Sequence, residues 1–383
     1  MKITDSILYV GVNDKDLDLF EGQYAVPNGV TYNSYMILDE KICVMDSVDA
    51  RKTDAWLNNV EEALNGKTPD YLVVSHLEPD HSGSIRAIAD KYPDMKLIMS
   101  AKALTMLPQF VPQAYVSRAS GVKENDTLEL GSHTLRFIMT PMVHWPEVMV
   151  SYEASEKVLF SADAFGKFGT LDCEEDWLSE ARRYYFNIVG KYGSPVQTVL
   201  KKAAALDIQV ICPLHGPVLK ENLAYYVGKY QIWSAYAPED SGVLVAYGSL
   251  HGNTAGAAKY MAEVLKSQGV RVMLFDLARD DMSLALAEAF RFDKLVLACS
   301  TYDGNFFPKM EDFLLHLKAK AYQKRKVALI ENGSWAPMAA KCMKSYLEQM
   351  KDITVCDGTV TIKSTVSEAN KAQIADLAKE LLA

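Results

Sequence analysis

Cysteine is sparse in this 383-residue chain: Cys43, Cys173, Cys212, Cys299, Cys342 and Cys356 are dispersed, and none belongs to a CxxC pair. That spacing excludes a zinc knuckle and supplies no disulfide scaffold, so a reducing cytoplasm is the expected compartment. No apolar run approaches the roughly 18–20 residues needed to cross a bilayer, so no membrane association is expected. The opening Met1-Lys2-Ile3-Thr4-Asp5 lacks the charged-then-apolar plan of a secretory signal. Basic excess is also missing. With 40 Lys+Arg against 49 Asp+Glu the net charge is −9, which repels a polyanion and argues against nucleic acid as a partner. There is no internal repeat and no low-complexity tract.

What is present is ordinary globular composition, 49% hydrophobic and 23% charged, at a length that suits two or three domains. The N-terminal half carries short β runs. Asn33–Leu38 and Lys41–Asp46 flank the polar pair Asp39-Glu40 and predict a hairpin. Tyr71–Ser75, Leu97–Met99, Leu135–Thr140, Val148–Tyr152, Val158–Ser161 and Gln209–Cys212 are further strands. Helices are expected over Ala50–Leu64, Asp176–Val189, Ser194–Leu206 and Glu221–Ala235, with another stretch from Ile85. Mixed strands with helices outside predict a sheet-and-helix sandwich.

The texture changes at Ala237-Pro238-Glu239-Asp240-Ser241-Gly242, a stretch of linker composition. It places a first domain at 1–238 and a second at 239–383. Beyond it the pattern alternates regularly. Strands at Val243–Tyr247, Val270–Phe275, Lys294–Ser300, Val327–Glu331 and Ile353–Ile362 interleave with helices at Thr254–Gln268, Leu284–Ala289, Lys309–Leu317, Ala336–Gln349 and Ser367–Leu382. This is α/β order, predicting a doubly wound parallel sheet.

Histidine is scarce too, with seven in the chain, yet four fall among carboxylates just past strand ends. His76-Leu77-Glu78-Pro79-Asp80-His81 follows Tyr71–Ser75. His144 follows Leu135–Thr140, Asp163 follows Val158–Ser161, and His215 follows Gln209–Cys212. Loops at strand ends converge on one site while the scaffold stays rigid. Four imidazoles and three carboxylates suit two metal ions with open positions: His76, Glu78 and His144 on one, Asp80, His81 and His215 on the other, and Asp163 between them. A lone histidine is ordinarily a surface or core residue, and His133 and His316 read that way.

HxExDH followed by a lone His, an Asp and a final His resembles the metallo-β-lactamase-like αββα fold. Its zinc hydrolases have His where this chain has Glu78, and that substitution resembles the flavodiiron proteins, in which both ions are iron. The added hard oxygen donor suits iron or manganese better than zinc. One departure lies behind the ligands: Glu147-Val148 follows His144-Trp145-Pro146, where the family has a shorter acid and a hydroxyl residue.

The second domain opens with Gly248-Ser249-Leu250-His251-Gly252-Asn253-Thr254 between a strand and a helix. Hydroxyls, small residues and exposed N–H groups at a helix N-terminus form a phosphate site. Without a P-loop lysine or GxGxxG, ATP and NAD are disfavoured. Two later loops, Ser300-Thr301-Tyr302-Asp303-Gly304-Asn305 and Asn332-Gly333-Ser334-Trp335-Ala336-Pro337, lie at strand carboxyl ends, where open α/β sheets bind ligands. Tyr302 and Trp335 offer faces to a planar ring. Together the three loops are similar to those of a flavodoxin, whose ligand is FMN. The candidate FMN contacts are Ser249, His251, Gly252, Asn253, Thr254, Thr301, Tyr302, Asp303, Gly304, Asn305, Ser334, Trp335 and Ala336.

The resemblance covers the whole chain and implies an oxidoreductase. An external donor, rubredoxin or a reduced deazaflavin coenzyme, would reduce FMN, and the iron pair would then reduce dioxygen to water or nitric oxide to nitrous oxide, protecting an anaerobe against oxidative and nitrosative stress. A bound rubredoxin-type module would need two CxxC pairs, and this sequence has none. A head-to-tail homodimer, or a dimer of dimers, is implied as well. The small pocket residues Trp145, Phe165 and Phe168 are candidates for tuning the choice of gas. Two other classes compete: a zinc hydrolase with the flavodoxin part as a docking module, and a non-catalytic electron carrier.

Overall fold

A computed structural model describes residues 1–383. The chain forms two compact units. One holds Met1–Tyr185 and Ser194–Gln231, the other Ile232–Ala383 together with the short segment Phe186–Gly193.

The first unit is a two-sheet sandwich. Strands β1 (Ile7–Tyr9), β2 (Tyr35–Ile37), β3 (Cys43–Met45), β4 (Tyr71–Val74), β5 (Lys96–Ser100) and β6 (Ala119–Val122) lie side by side in that order. The expected hairpin is β2–β3, antiparallel with Tyr35 opposite Met45. From β3 to β6 the pairing is parallel. The second sheet runs β7 (Thr127–Glu129), β8 (Thr134–Met139), β9 (Met149–Glu153), β10 (Val158–Phe160) and β11 (Val210–Cys212), and only its last pair is parallel. Ile7, Ile37, Met45, Val73 and Ile98 from one sheet meet Leu135, Phe137, Met149, Phe160 and Cys212 from the other in one buried cluster. Alternation sends these residues inward, which is the sandwich rule. The helix Thr53–Leu64 buries Trp56, Val60 and Leu64, one stripe at helical spacing.

The second unit is a parallel sheet of β12 (Asp240–Gly248), β13 (Val272–Asp276), β14 (Phe292–Tyr302), β15 (Arg325–Asn332) and β16 (Ile353–Ile362). Its spatial order is β13-β12-β14-β15-β16, the doubly wound flavodoxin-like arrangement. Val243, Val245, Val296, Ala298 and Ile330 pack beneath the helices Asn253–Ser267 and Glu368–Leu382. The alternate residues Leu244, Leu295, Leu297 and Leu329 are equally buried, so both faces of the sheet are covered.

Two helix limits moved for a local reason. The expected helix Asp176–Val189 is α-helical over Trp177–Tyr184 and then widens into a π-turn over Tyr185–Val189. The expected helix from Ala336 begins at Ala339, because Ala336 takes a positive φ of 44° and Pro337 follows it. The strands β1, β6 and β7, and the ribbon Val12–Asp14 with Val30–Tyr32, carry no sequence expectation.

Candidate functional site

All four strand ends named by the sequence point to one place in the first unit. After β4 the chain turns into the one-turn helix Pro79–Ser82, with Pro79 at its first position, which sets Asp80 and His81 beside His76 and Glu78. His144, Asp163 and His215 follow β8, β10 and β11. The seven side chains form two groups, His76–Glu78–His144–Asp163 and Asp80–His81–His215, with donor atoms within 4.8 Å in each.

Asp163 links the groups. Its Oδ2 lies 3.5 Å from His76 Nε2 and 3.3 Å from His144 Nε2, while its Oδ1 lies 3.2 Å from His81 Nε2 and 3.6 Å from His215 Nε2. Glu78 Oε2 completes the first group, 3.2 Å from His76 Nε2 and 3.0 Å from His144 Nε2. Asp80 Oδ2 completes the second, 3.3 Å from His81 Nε2 and 3.2 Å from His215 Nε2.

Both oxygens of Asp80 and Asp163, and Nε2 of His81, His144 and His215, are buried with no hydrogen-bond partner. Such groups cost several kcal/mol each when left alone, roughly 1–3 or more, so this is a donor set shaped for cations. The electrostatics agree. Burial opposes charge on His76, yet its bonds to the Glu147 and Glu78 carboxylates hold it well above the ordinary imidazole range. Burial likewise opposes charge on His144, but Asp163 and Glu78 raise it to about 9. Asp163 is held well below the usual carboxylate range, the facing His81 and His144 outweighing its burial. Metal ions would replace those protons and leave neutral imidazoles as ligands.

Two of the rings are aimed from behind. Glu147 Oε1 lies 2.7 Å from His76 Nδ1 and accepts the Leu77 N–H at 3.0 Å, while His215 Nδ1 donates to the Thr31 carbonyl at 2.6 Å. Each bond turns Nε2 inward. Glu147, the departure noted above, therefore reaches His76 despite its extra methylene. Thr31 had no motif to reveal it; it sits on the ribbon Val12–Asp14/Val30–Tyr32. That ribbon needs Gly29, where φ is +65° and a Cβ would stand 2.1 Å from the Asp14 carbonyl.

Trp145 packs its ring edge-on 5.1 Å from His76. Phe20, Tyr184 and Tyr32 surround His215 at 5.4, 5.5 and 6.1 Å, none of them expected from sequence. Phe168 lies behind this shell against Phe20 and Tyr184, and Phe165 packs on Tyr230. A cavity of about 430 Å³ opens beside Glu78 and Asp80, walled by Leu17, Leu19, Phe20 and Tyr32 with Arg51 at its rim.

In the second unit a cleft of about 590 Å³ lies at the carboxyl ends of β12, β14 and β15. Of the expected contacts, His251, Asn253, Thr254, Thr301, Asp303, Gly304, Ser334, Trp335 and Ala336 line it. Ser249 and Gly252 shape the loop instead: Ser249 Oγ accepts the Gly252 N–H at 3.1 Å, and Gly252 takes φ 95° before the helix Asn253–Ser267. Tyr302 and Asn305 pair with each other in a small hairpin at the rim. Leu250, Ser300, Asn332, Gly333 and Ser364 line the cleft as well. The loop carrying Ser364 follows β16 and has no phosphate or aromatic signature to mark it. Trp335 is 84% exposed, a flat face open to a ring. A helix N-terminus with hydroxyls at one end and an aromatic face at the other fits a phosphorylated flavin.

Comparison with known proteins agrees over both units. Residues 30–216 match the model of the ODP family beta lactamases, and residues 244–381 match a flavodoxin domain. An uncharacterized protein of Methanocaldococcus jannaschii is 28% identical over 100% of this chain and 98% of its own length. The anaerobic nitric oxide reductase flavorubredoxin of Vibrio vulnificus is 27% identical, matching 87% of this chain and 70% of its own. Among solved structures, the rubredoxin oxygen:oxidoreductase of Desulfovibrio gigas superposes with a TM-score of 0.91 at 27% identity, covering 100% of this chain and 97% of that one. With both halves matched in order, and one unit carrying seven converging metal donors, this chain belongs to the flavodiiron proteins, a family of oxidoreductases.

Proposed function

We propose that the chain reduces dioxygen to water, nitric oxide to nitrous oxide, or both, with residues 1–238 as the di-iron domain and 239–383 as the FMN domain. The observation that carries this is Asp163, whose two carboxylate oxygens each face a different ligand group. His76, Glu78 and His144 would hold one iron, Asp80, His81 and His215 the other, and Asp163 would bridge them. FMN supplies two-electron storage with one-electron release, and the iron pair supplies reducing electrons at a binding place for a diatomic gas.

This chain's residues do the rest. Glu147 and Thr31 O aim two imidazoles. Phe20, Tyr32, Tyr184 and Trp145 keep the surroundings apolar and limit water, while the cavity beside Glu78 and Asp80 admits a small molecule. Thr254 and Asn253 would bind the flavin phosphate and Trp335 its ring. The zinc-hydrolase alternative is not favoured, because relatives matched across both halves are named as a nitric oxide reductase and a rubredoxin oxygen:oxidoreductase. An external donor such as rubredoxin, a head-to-tail dimer and a role against oxidative or nitrosative stress complete the proposal. A cytoplasmic setting is supported by six free cysteines, and no helix is long and apolar enough to cross a membrane.

Steady-state rates with each gas and the same reduced donor test the reading, alongside metal analysis. Two irons per chain and turnover of at least one gas are expected. Two zincs from iron-replete cells, with neither gas consumed, would sink it.

A further inference from the structure

The loop after β16 reaches the cleft, although neither the phosphate loop nor the two aromatic loops include it. Its Ser364 stands in the left-handed region at φ 66°, a conformation unfavourable for a non-glycine residue. Asn332, at the end of β15, clasps it from both sides. Asn332 Nδ2 donates to the Ser364 carbonyl at 2.9 Å, and Asn332 Oδ1 accepts the Ser364 N–H at 3.0 Å. Two bonds from one buried amide fix the backbone that carries the hydroxyl.

That hydroxyl is at the phosphate end. Ser364 Oγ accepts from Asn253 Nδ2 at 3.3 Å, and Asn253 is the first residue of the helix whose N-terminus faces the cleft. With its oxygen taken as an acceptor, Ser364 keeps its own O–H to donate. Ser364, Asn253, Thr254 and Asn332 all line the cleft. An anion there would meet the helix N-terminus, the Thr254 hydroxyl and the Ser364 hydroxyl.

We propose that Ser364, held by the Asn332 clasp, is a phosphate-recognising residue of the cleft and makes it select a phosphorylated flavin over its dephosphorylated form. The inference rests on the FMN reading above. It adds a fourth loop to the site and assigns it to one chemical group of the ligand.

The test uses the full chain freed of flavin, titrated separately with FMN and with riboflavin by quenching of flavin fluorescence. Ser364→Gly removes the hydroxyl while keeping a residue at ease at positive φ, so folding is not the issue. It should weaken FMN about tenfold, the loss of one charge-assisted bond, and leave riboflavin unchanged. Ser364→Asp, which sets a carboxylate against the phosphate, should weaken FMN further and again spare riboflavin. Equal loss for both ligands, or FMN affinity like the parent's in both variants, overturns the proposal. A parent chain that binds riboflavin and FMN alike overturns it too, while a parent that binds neither defeats the flavin reading itself.

Discussion

At the scale of single residues, Glu147 shows how a side chain that touches no metal donor atom of its own group still sets the site. Its carboxylate fixes His76 through Nδ1 and accepts the Leu77 N–H, both in buried surroundings. Glu147→Ala would strand both donors. The expected result is a roughly 10–100-fold loss in affinity for the ion on His76, Glu78 and His144. The ion on Asp80, His81 and His215 should be spared, because His215 is held by Thr31 instead. Metal content followed during stepwise chelation would show this as one ion leaving early. Simultaneous loss of both ions would mean that Glu147 acts through the general fold. Asp163→Ala is the contrasting case, since its oxygens face both groups, and there both ions should go. The seven side chains that the fold brings together were legible in the sequence because each is a residue type able to ligate a metal and lies just past a strand end. Thr31 was not, since it contributes a backbone carbonyl, which every residue possesses.

At the scale of elements, legibility followed length and pattern. The three central strands of the second unit, β12, β14 and β15, are long and buried on both faces, so they stand out as apolar runs, and the doubly wound order follows from the alternation of strands with helices. The strands β1 and β7 are three residues each, and β6 carries the partly exposed sequence Ala-Ser-Gly-Val. Too few residues repeat for a period to appear. The helix ending at Tyr184 hid a further feature. The chain there passes into the segment Phe186–Gly193, which belongs to the second unit. Phe186 stacks on Phe290 at 4.1 Å and 13°, and Asn187 donates to the Ser283 carbonyl at 3.1 Å. Phe186→Ala should therefore destabilise the flavin-bearing unit by about 3 kcal/mol, although residue 186 lies more than fifty positions before that unit's first strand. Flavin release on heating, read by fluorescence, should shift to lower temperature while iron content at ambient temperature stays constant. An unchanged release temperature would show that the segment adds nothing to that unit's stability.

At the scale of the whole molecule, the remaining question is whether one chain suffices. Each unit offers one half of the proposed chemistry, metal donors in the first and the flavin cleft in the second. Under the head-to-tail proposal, electrons pass from the flavin of one chain to the metals of its partner. Take one variant that lacks metal, Asp163→Ala, and another that lacks flavin, altered at Ser249, Asn253 and Thr254. Neither homodimer should consume dioxygen with a reduced donor, since every chain in it misses the same half. A mixed dimer holds an intact flavin on one chain and intact metals on the other. A closed two-fold arrangement brings those two halves together once, so the mixed dimer should regain about half the rate of the parent. Transfer within a single chain predicts the opposite, because each chain of the mixture still misses one half. Differently tagged variants, purified through both tags, guarantee that the sample is mixed. Recovered oxygen consumption in that sample supports the cross-subunit route, and continued inactivity rejects it while leaving both cofactor assignments in place.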